Sequence, residues 1–275
     1  MTPANAPGEI RKARVYERNR GAFVECLARA SGGWLLQEGA VKVCGLPFPH
    51  PFSGLMSPAW KEADRAQNFR LALRLFQSTG RGMVVSLGPA SQPDGSFREL
   101  LKSHRFHCVY HVPFFHLDAA GYRARPRHIA GVVIRSVVDP ASVRDQVLPW
   151  IGPLTTPARR ARFALWEREL PRTRPRLWQW VAWHQGNVIG GVQLFRYRDT
   201  GGIYDMEVYP PYRRRGIGLA LMQTACLHAR DIGLRAVGLS ASQEATGLYR
   251  KTGFTPAGLW SDYFLGSQKM RNLRV

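Results

Sequence analysis

The sequence predicts an α/β (α+β) protein whose mixed sheet is flanked by helices, and three observations in its second half predict it. Residues 178–184, 188–197 and 203–208 are strand-like runs rich in β-branched and aromatic side chains, joined by short turns as in an antiparallel meander. Residues 216–229 then place Ile217, Ala220, Leu221 and Leu227 on one helical face. After that helix come a short strand (236–239), a short helix (244–251) and a last pair of strands from Phe254. Strands and helices in that order call for a mixed sheet.

From the N-terminus, 275 residues suit two packed domains, expected at 1–125 and 126–275. The joint reads AAGYRARPRH from Ala119: Gly121, Pro126 and the alternating Arg123, Arg125 and Arg127 are poor helix-interior material and read as a linker or an exposed edge. Residues 131–138 are a β-branched run expected to open the second domain, and 140–170 read as largely helical until Pro171 and Pro175 break the pattern. Gln185, Gly186 and Asn187 separate the first two meander strands, a hairpin signal because glycine and asparagine accept positive φ. Pro210 and Pro211 cannot donate to a ladder and end the third strand, Gly233 stops the helix, and the chain closes on the basic tail Lys269, Arg271 and Arg274.

The first half echoes the end of the second. Leu100-Leu-Lys-Ser-His-Arg-Phe106 can be laid on Leu248-Tyr-Arg-Lys-Thr-Gly-Phe254, and Ala90-Ser91-Gln92 on Ala241-Ser242-Gln243 with three more residues intervening in the first copy. An internal repeat and a chance likeness of short helix ends both fit.

Composition narrows the setting. The formal charge is +20, and only six of the 39 basic residues are lysine. Such a field draws in anions, whether a polyanionic ligand or a nucleic acid, although an arginine-biased solvated surface would carry the same charge. No apolar stretch approaches the roughly 20 residues that span a bilayer, and the opening MTPANAPGEIRKAR lacks an apolar core, so the expected setting is the cytoplasm with no membrane partner. Cys26, Cys44, Cys108 and Cys226 are scattered without metal-ligand or redox spacing and read as reduced thiols in small buried positions.

The stretch Val208-Tyr-Pro-Pro-Tyr-Arg-Arg-Arg-Gly-Ile-Gly-Leu219 carries the chemistry. Here a strand runs through a proline turn into a helix that begins on glycines. Without a Cβ at Gly216 and Gly218, first-turn amides can approach a diphosphate, the helix dipole favours its charge, and Arg213, Arg214 and Arg215 add cations. An ordinary loop needing positive φ would use the same glycines.

With Leu248-Tyr249-Arg-Lys-Thr-Gly-Phe254 following a strand and a short helix, roughly the last 150 residues resemble the GNAT superfamily of acyl-CoA-dependent N-acetyltransferases. Its R/Q-x-x-G-x-G/A motif matches Arg213, Gly216 and Gly218, its V-x-P strand end matches Val208 and Pro210, and its LYxxxGF motif matches 248–254. The resemblance implies acetyl-CoA as co-substrate and no metal. It implies that Val208 offers backbone hydrogen bonds to the pantetheine arm, that the backbone through Arg213, Arg214, Arg215, Gly216, Ile217, Gly218 and Leu219 wraps the pyrophosphate, and that Tyr249 protonates the departing thiolate. Many relatives carry asparagine seven residues before that tyrosine; Ser242 stands there, and its hydroxyl can still hydrogen-bond.

The general base is expected on the third meander strand, where Glu207 is the candidate beside Asp205. Strict alternation puts Gly202, Tyr204 and Met206 on one face and Asp205 and Glu207 on the other, while bases in relatives often sit on the former. Tyr204 or a water relay competes for the role. The first half has no R-x-x-G-x-G equivalent and carries Leu101 opposite Tyr249, so the whole resembles a tandem GNAT protein with a degenerate N-terminal half that is structural or shapes the acceptor groove.

The implied reaction is transfer of an acetyl or short acyl group to a primary amine of an unidentified small molecule or peptide, by direct attack in a ternary complex. A cationic enzyme repels polycations at long range, which disfavours polyamine-like acceptors. The alternative is a nucleic-acid-associated protein, either an aminoacyl-tRNA-dependent transferase or a non-catalytic RNA binder; the intact phosphate motif argues against it.

Other signals carry less. His104, His107, Cys108, His111 and His116 invite a metal, but in an extended strand His107 and His111 share a face while Cys108 points away. Trp178 and Trp180 alternate as sheet residues do, which suits core packing for them and for Trp166 and Trp183 better than an acceptor pocket or base stacking. The basic runs 159–162 and 172–176 read as solvated faces.

Overall fold

Twice along the chain a strand, a helix and a parallel strand follow one another, because parallel neighbours cannot be joined by a tight hairpin and need a helical crossover. The computed structural model describes residues 7–47, 53–56, 58, 60–79, 83–91, 95–138, 142, 156–170 and 175–265. Two units divide them: 1–114 with 257–275, and 115–256.

In the first unit, helix α1 (Pro7–Ala30) precedes the hairpin β1 (Trp34–Glu38) and β2 (Val41–Gly45). Then β3 (Gly54–Met56), helix α2 (Glu62–Gln77) and β4 (Val84–Leu87) form the crossover, β3 lying parallel to β4. A 3-10 turn (Pro89–Ser91), helix α3 (Gly95–Ser103) and β5 (Phe106–Asp118) follow. The core is aromatic: Phe69 packs edge-on to Phe97 and Phe106, and Trp34 to Phe76.

In the second unit, β6 (Val132–Val137), helix α4 (Pro157–Glu169), β7 (Leu177–His184), β8 (Asn187–Tyr197) and β9 (Thr200–Val208) lead into helix α5 (Ile217–Asp231) and β10 (Ala236–Ser240). β6 to β9 form an antiparallel meander, and β10 lies parallel to β9. The β7–β8 turn takes positive φ at Gln185 (48°) and Gly186 (78°), the twist that a two-residue hairpin needs, so Asn187 belongs to the strand. A 3-10 turn (Gln243–Ala245), helix α6 (Thr246–Thr252) and β11 (Thr255–Leu265), whose residues from 257 on belong to the first unit, complete the order. From α4 onward it repeats that of the first unit, and the echo read between 100–106 and 248–254 falls on equivalent elements, α3 into β5 and α6 into β11.

The two units part at 114/115 and 256/257, and β11 pairs antiparallel with β4 from Ser261↔Leu87 to Phe264↔Val84. In the segment 119–128 the residues read as a linker or an exposed edge, Gly121, Arg123, Arg125, Pro126 and Arg127, are exposed, while Ala119 and Tyr122 are buried with α5 in the second core. Of the expected pair of terminal strands, one is seen, and residues 266–275 with the tail cations lie outside the described residues, as do most of 139–155 and Arg172 and Arg174.

Two smaller readings are also corrected. Cys108 does not point away from the histidines: its thiol sits 3.2 Å from His111 Nε2, and His111 Nδ1 lies 3.0 Å from Ser261 Oγ. Cys44 and Cys226 are buried, but Cys108 is exposed and Cys26 half-buried, so buried packing accounts for only part of the set. Among the described residues no three histidine, cysteine or acidic side chains converge as a metal site, and no helix is long and apolar enough to cross a membrane.

One buried carboxylate sets a pH dependence in the first unit. Glu17 on α1 accepts hydrogen bonds from the amides of Ala90 (2.7 Å) and Ser91 (3.2 Å) and from the Ser91 hydroxyl (2.7 Å). Burial outweighs these bonds and pushes its carboxyl up to about 7. A folded-state value above the unfolded one gives stability that is fully present below about 4.5 and lost as pH rises through about 7. Glu17→Gln cannot ionise, so between pH 4 and 8 its stability relative to wild type should rise by on the order of 3 kcal/mol. Urea unfolding of both proteins at the two pH values measures this, and a constant difference would refute it.

Candidate active site

The site begins where two strands stop pairing. β9 and β10 share a parallel ladder over 200–202 and 236–238, yet β9 runs on to Val208 and β10 to Ser240. Past Gly202 and Gly238 the strands diverge, and the facing edge of β9 keeps backbone groups that need partners.

A bulge in β9 then resets which side chains share a face. Gln193 pairs with Tyr204 and Gly191 with Glu207, so Asp205 and Met206 together oppose Val192. Asp205 adopts φ 48°, the left-handed bulge conformation that aspartate tolerates better than most residues. The alternation expected from sequence is thereby corrected. Ile203 and Val208 join the core beneath α5, with Met206 packed against it, while Glu207 moves onto the face of Gly202 and Tyr204.

That face carries polar side chains which sequence reasoning missed. Gln179 and Gln193 pair across β7 and β8, are fully buried, and are joined by a 3.3 Å hydrogen bond from Gln193 Nε2 to Gln179 Oε1. Gln193 Oε1 is buried with no hydrogen-bond partner among the described residues, as is Asp205 Oδ2. Glutamines in otherwise apolar strand runs were the available signal. Arg162 of α4, expected on a solvated face, instead turns inward to Asp205 at 2.9 Å. Glu207 itself is exposed; burial, and next the Glu207 charge, push the neighbouring Tyr209 phenol up, while Arg159 opposes them.

Beyond β9, Pro210–Tyr212 form a 3-10 turn and Arg213 folds back, its Nε donating to the Val208 carbonyl at 2.8 Å. Gly216 caps α5 at φ 86°, no side chain caps the helix, and the first intrahelical bond runs from the Ala220 amide to the Gly216 carbonyl at 3.0 Å. The amides of Ile217, Gly218 and Leu219 are thus first-turn donors without intrahelical acceptors. A Cβ at Gly218 would lie 3.0 Å from Met206 Cε and 3.3 Å from Leu248 Cδ2, so α6 packs directly on the start of α5. Tyr249 follows Leu248 and is buried, with Phe115 and Phe254 rings at 6.1 and 6.2 Å. Ser242 is exposed at the end of β10, and its carbonyl accepts the Ala245 amide at 3.1 Å. Donors at a helix start, glycines where side chains would intrude, and nearby arginines fit a phosphate-bearing group.

The tryptophans mostly pack. Trp166 is fully buried, and Trp178 and Trp180 flank His228 at 5.0 and 5.1 Å, where burial lowers the imidazole pKa.

Residues 144–254 match the model of the acetyltransferase (GNAT) family. Among solved structures the chain is similar to a GCN5-related N-acetyltransferase from Kribbella flavida, with TM-score 0.67 at 13% identity, covering 92% of this chain and 98% of that one. It is similar to a GCN5-related N-acetyltransferase from Sphaerobacter thermophilus, with TM-score 0.57 at 20% identity over 76% and 70% of the two chains. It is also similar to a tandem GNAT protein from the clavulanic acid biosynthesis pathway, with TM-score 0.57 at 16% identity over 84% and 81%. At such identities these likenesses establish fold. No curated protein matches the chain.

Proposed function

From the premise that this chain carries a GNAT-family acetyltransferase domain within two tandem GNAT-like units, we propose that it transfers an acetyl or short acyl group from acyl-CoA to a primary amine of a small molecule or peptide. The observation that carries this reading is the uncapped, glycine-initiated start of α5 beside the opening between β9 and β10. Acyl-CoA, when bound, supplies the thioester.

This chain's residues supply the rest. Amides of Ile217, Gly218 and Leu219 hold the diphosphate, with Arg213, Arg214 and Arg215 offsetting its charge, and Ser242 adds a hydroxyl contact. The free edge of β9 near Val208 orients the pantetheine arm. Glu207 takes a proton from the acceptor ammonium, directly or through water, so that the nitrogen lone pair can attack the carbonyl. As the carbon–sulfur bond breaks, Tyr249 gives its phenolic proton to the leaving sulfur, and the proton left on the newly bonded nitrogen passes through water to restore the phenol. The products are an amide and free CoA thiol.

On the Tyr204 face Gln193 Oε1, buried and unpartnered among the described residues, is an acceptor, which supports an acceptor molecule that brings N–H donors. Calorimetric titration with acetyl-CoA, then thiol release over amine panels at two salt concentrations, tests the reading. Binding should be measurable, and neutral or acidic amines should turn over faster than polyamines, with a gap that narrows as salt screens the field. Failure to bind acetyl-CoA would overturn the function, and faster turnover of the basic panel would overturn the acceptor preference.

A further inference from the structure

The segment after β5 runs back along α5 from its end to its beginning. Arg230, near the end of the helix, donates from Nη1 to the Tyr122 carbonyl at 3.3 Å, and the Arg127 amide donates to Gln223 Oε1 in mid-helix at 3.0 Å. Pro126 fixes its own φ and restricts residue 125, which stiffens the approach. At the far end the Arg127 side chain lies over the cap glycine: a Cβ at Gly216 would be 3.0 Å from Arg127 Nε, 3.2 Å from Cδ and 3.4 Å from Cζ.

That position is electrostatically costly in the free protein. A guanidinium sits at the positive end of the helix dipole, beside Arg213, Arg214 and Arg215. Among the described residues no carboxylate lies within ion-pair distance of any of the four. Arg213 is tied to the Val208 carbonyl and Arg215 stacks over the Tyr212 ring at 5.6 Å, whereas the Arg127 guanidinium has no such partner among the described residues. Only an anion at the start of α5 turns this arrangement from a repulsion into an attraction.

We infer that Arg127, lying over Gly216, is a second clamp on the CoA diphosphate beside the Arg213–Leu219 bend. The inference rests on the acyl-CoA reading above. The guanidinium fork donates to diphosphate oxygens seated on the Ile217–Leu219 amides, and the anchored segment from Tyr122 to Arg127 holds it there before the ligand arrives. Lysine would supply the charge without the paired donors.

The test is calorimetric titration of the full-length protein with CoA and with dephospho-CoA, for wild type, Arg127→Ala and Arg127→Lys, with melting curves of each free protein. Arg127→Ala should weaken both ligands by about tenfold, Arg127→Lys should recover part of the loss, and free Arg127→Ala should melt no lower than wild type. The assignment falls if Arg127→Ala binds CoA within about twofold of wild type, or if the loss spares dephospho-CoA, which would move the contact to the 3′-phosphate. It falls equally if the free variant is destabilised, since that marks a structural role. Wild type that binds neither ligand brings down the acyl-CoA reading itself; wild type that binds, beside an indifferent variant, brings down this inference alone.

Discussion

If Tyr249 acts as proposed, Tyr249→Phe should cut the rate of thiol release by roughly 100- to 1,000-fold, because the change removes the proton assigned to the leaving sulfur. The ring, on α6, is buried against Phe115 of β5 and Phe254 just after the helix, and phenylalanine keeps that packing. Loss of one hydroxyl costs folding stability about 1 kcal/mol. Affinity for acetyl-CoA should stay within about twofold, since a group that acts on the departing sulfur stabilises the transition state rather than the bound ground state. Stopped-flow thiol release and calorimetry on the same preparation separate the two effects. A kcat near wild type would remove Tyr249 from the mechanism, and affinity falling with the rate would make it a binding residue.

Gly216→Val should abolish measurable acetyl-CoA binding, with a loss of at least about 100-fold, for two reasons that add. Gly216 sits at φ 86°, which a β-branched residue adopts only as an outlier, and strain at one such position costs of order 1–3 kcal/mol. The new side chain would also enter the space between the α5 amides and Arg127 Nε, where its Cβ alone comes within 3.0 Å. Gly216→Ala separates the parts: it keeps most of the strain but only the first carbon of the obstruction, so its affinity should fall between wild type and valine. Thermal melts report the strain and calorimetry reports the obstruction. Unchanged affinity in Gly216→Val would place the phosphate group elsewhere.

Much of the architecture was legible because it is written in local periodicity. Period-two runs became β7, β8 and β9, the 3.6-residue face at 217–229 became α5, and Gly186, Pro210 and Gly233 ended elements where their backbone limits dictate. The glycines at 216 and 218 were readable for the same reason: a missing side chain is visible in sequence wherever a helix start must stay open.

Where side chains point was less legible. A single extra residue in β9 defeats strict alternation, and nothing in Tyr204-Asp205-Met206-Glu207 announces it, because a bulge is decided by how β9 registers against Gly191 and Gln193 of β8. Arg162 looked like one of a basic run, and only the carboxylate left on the inner side of that bulge draws it inward. Arg127 looked like linker charge until Tyr122, Arg230 and Gln223 laid its segment along α5.

By itself the sequence determined the kinds and order of elements and a helix start built on glycine, since each depends on the conformational limits of a few neighbouring residues. Only the tertiary structure decided that Glu207 shares a face with Tyr204, that 257–265 pair within the first unit, and that a guanidinium lies over Gly216. Strand register, edge pairing and the path of an irregular segment are settled by contacts between residues far apart in the chain, and local pattern does not encode them.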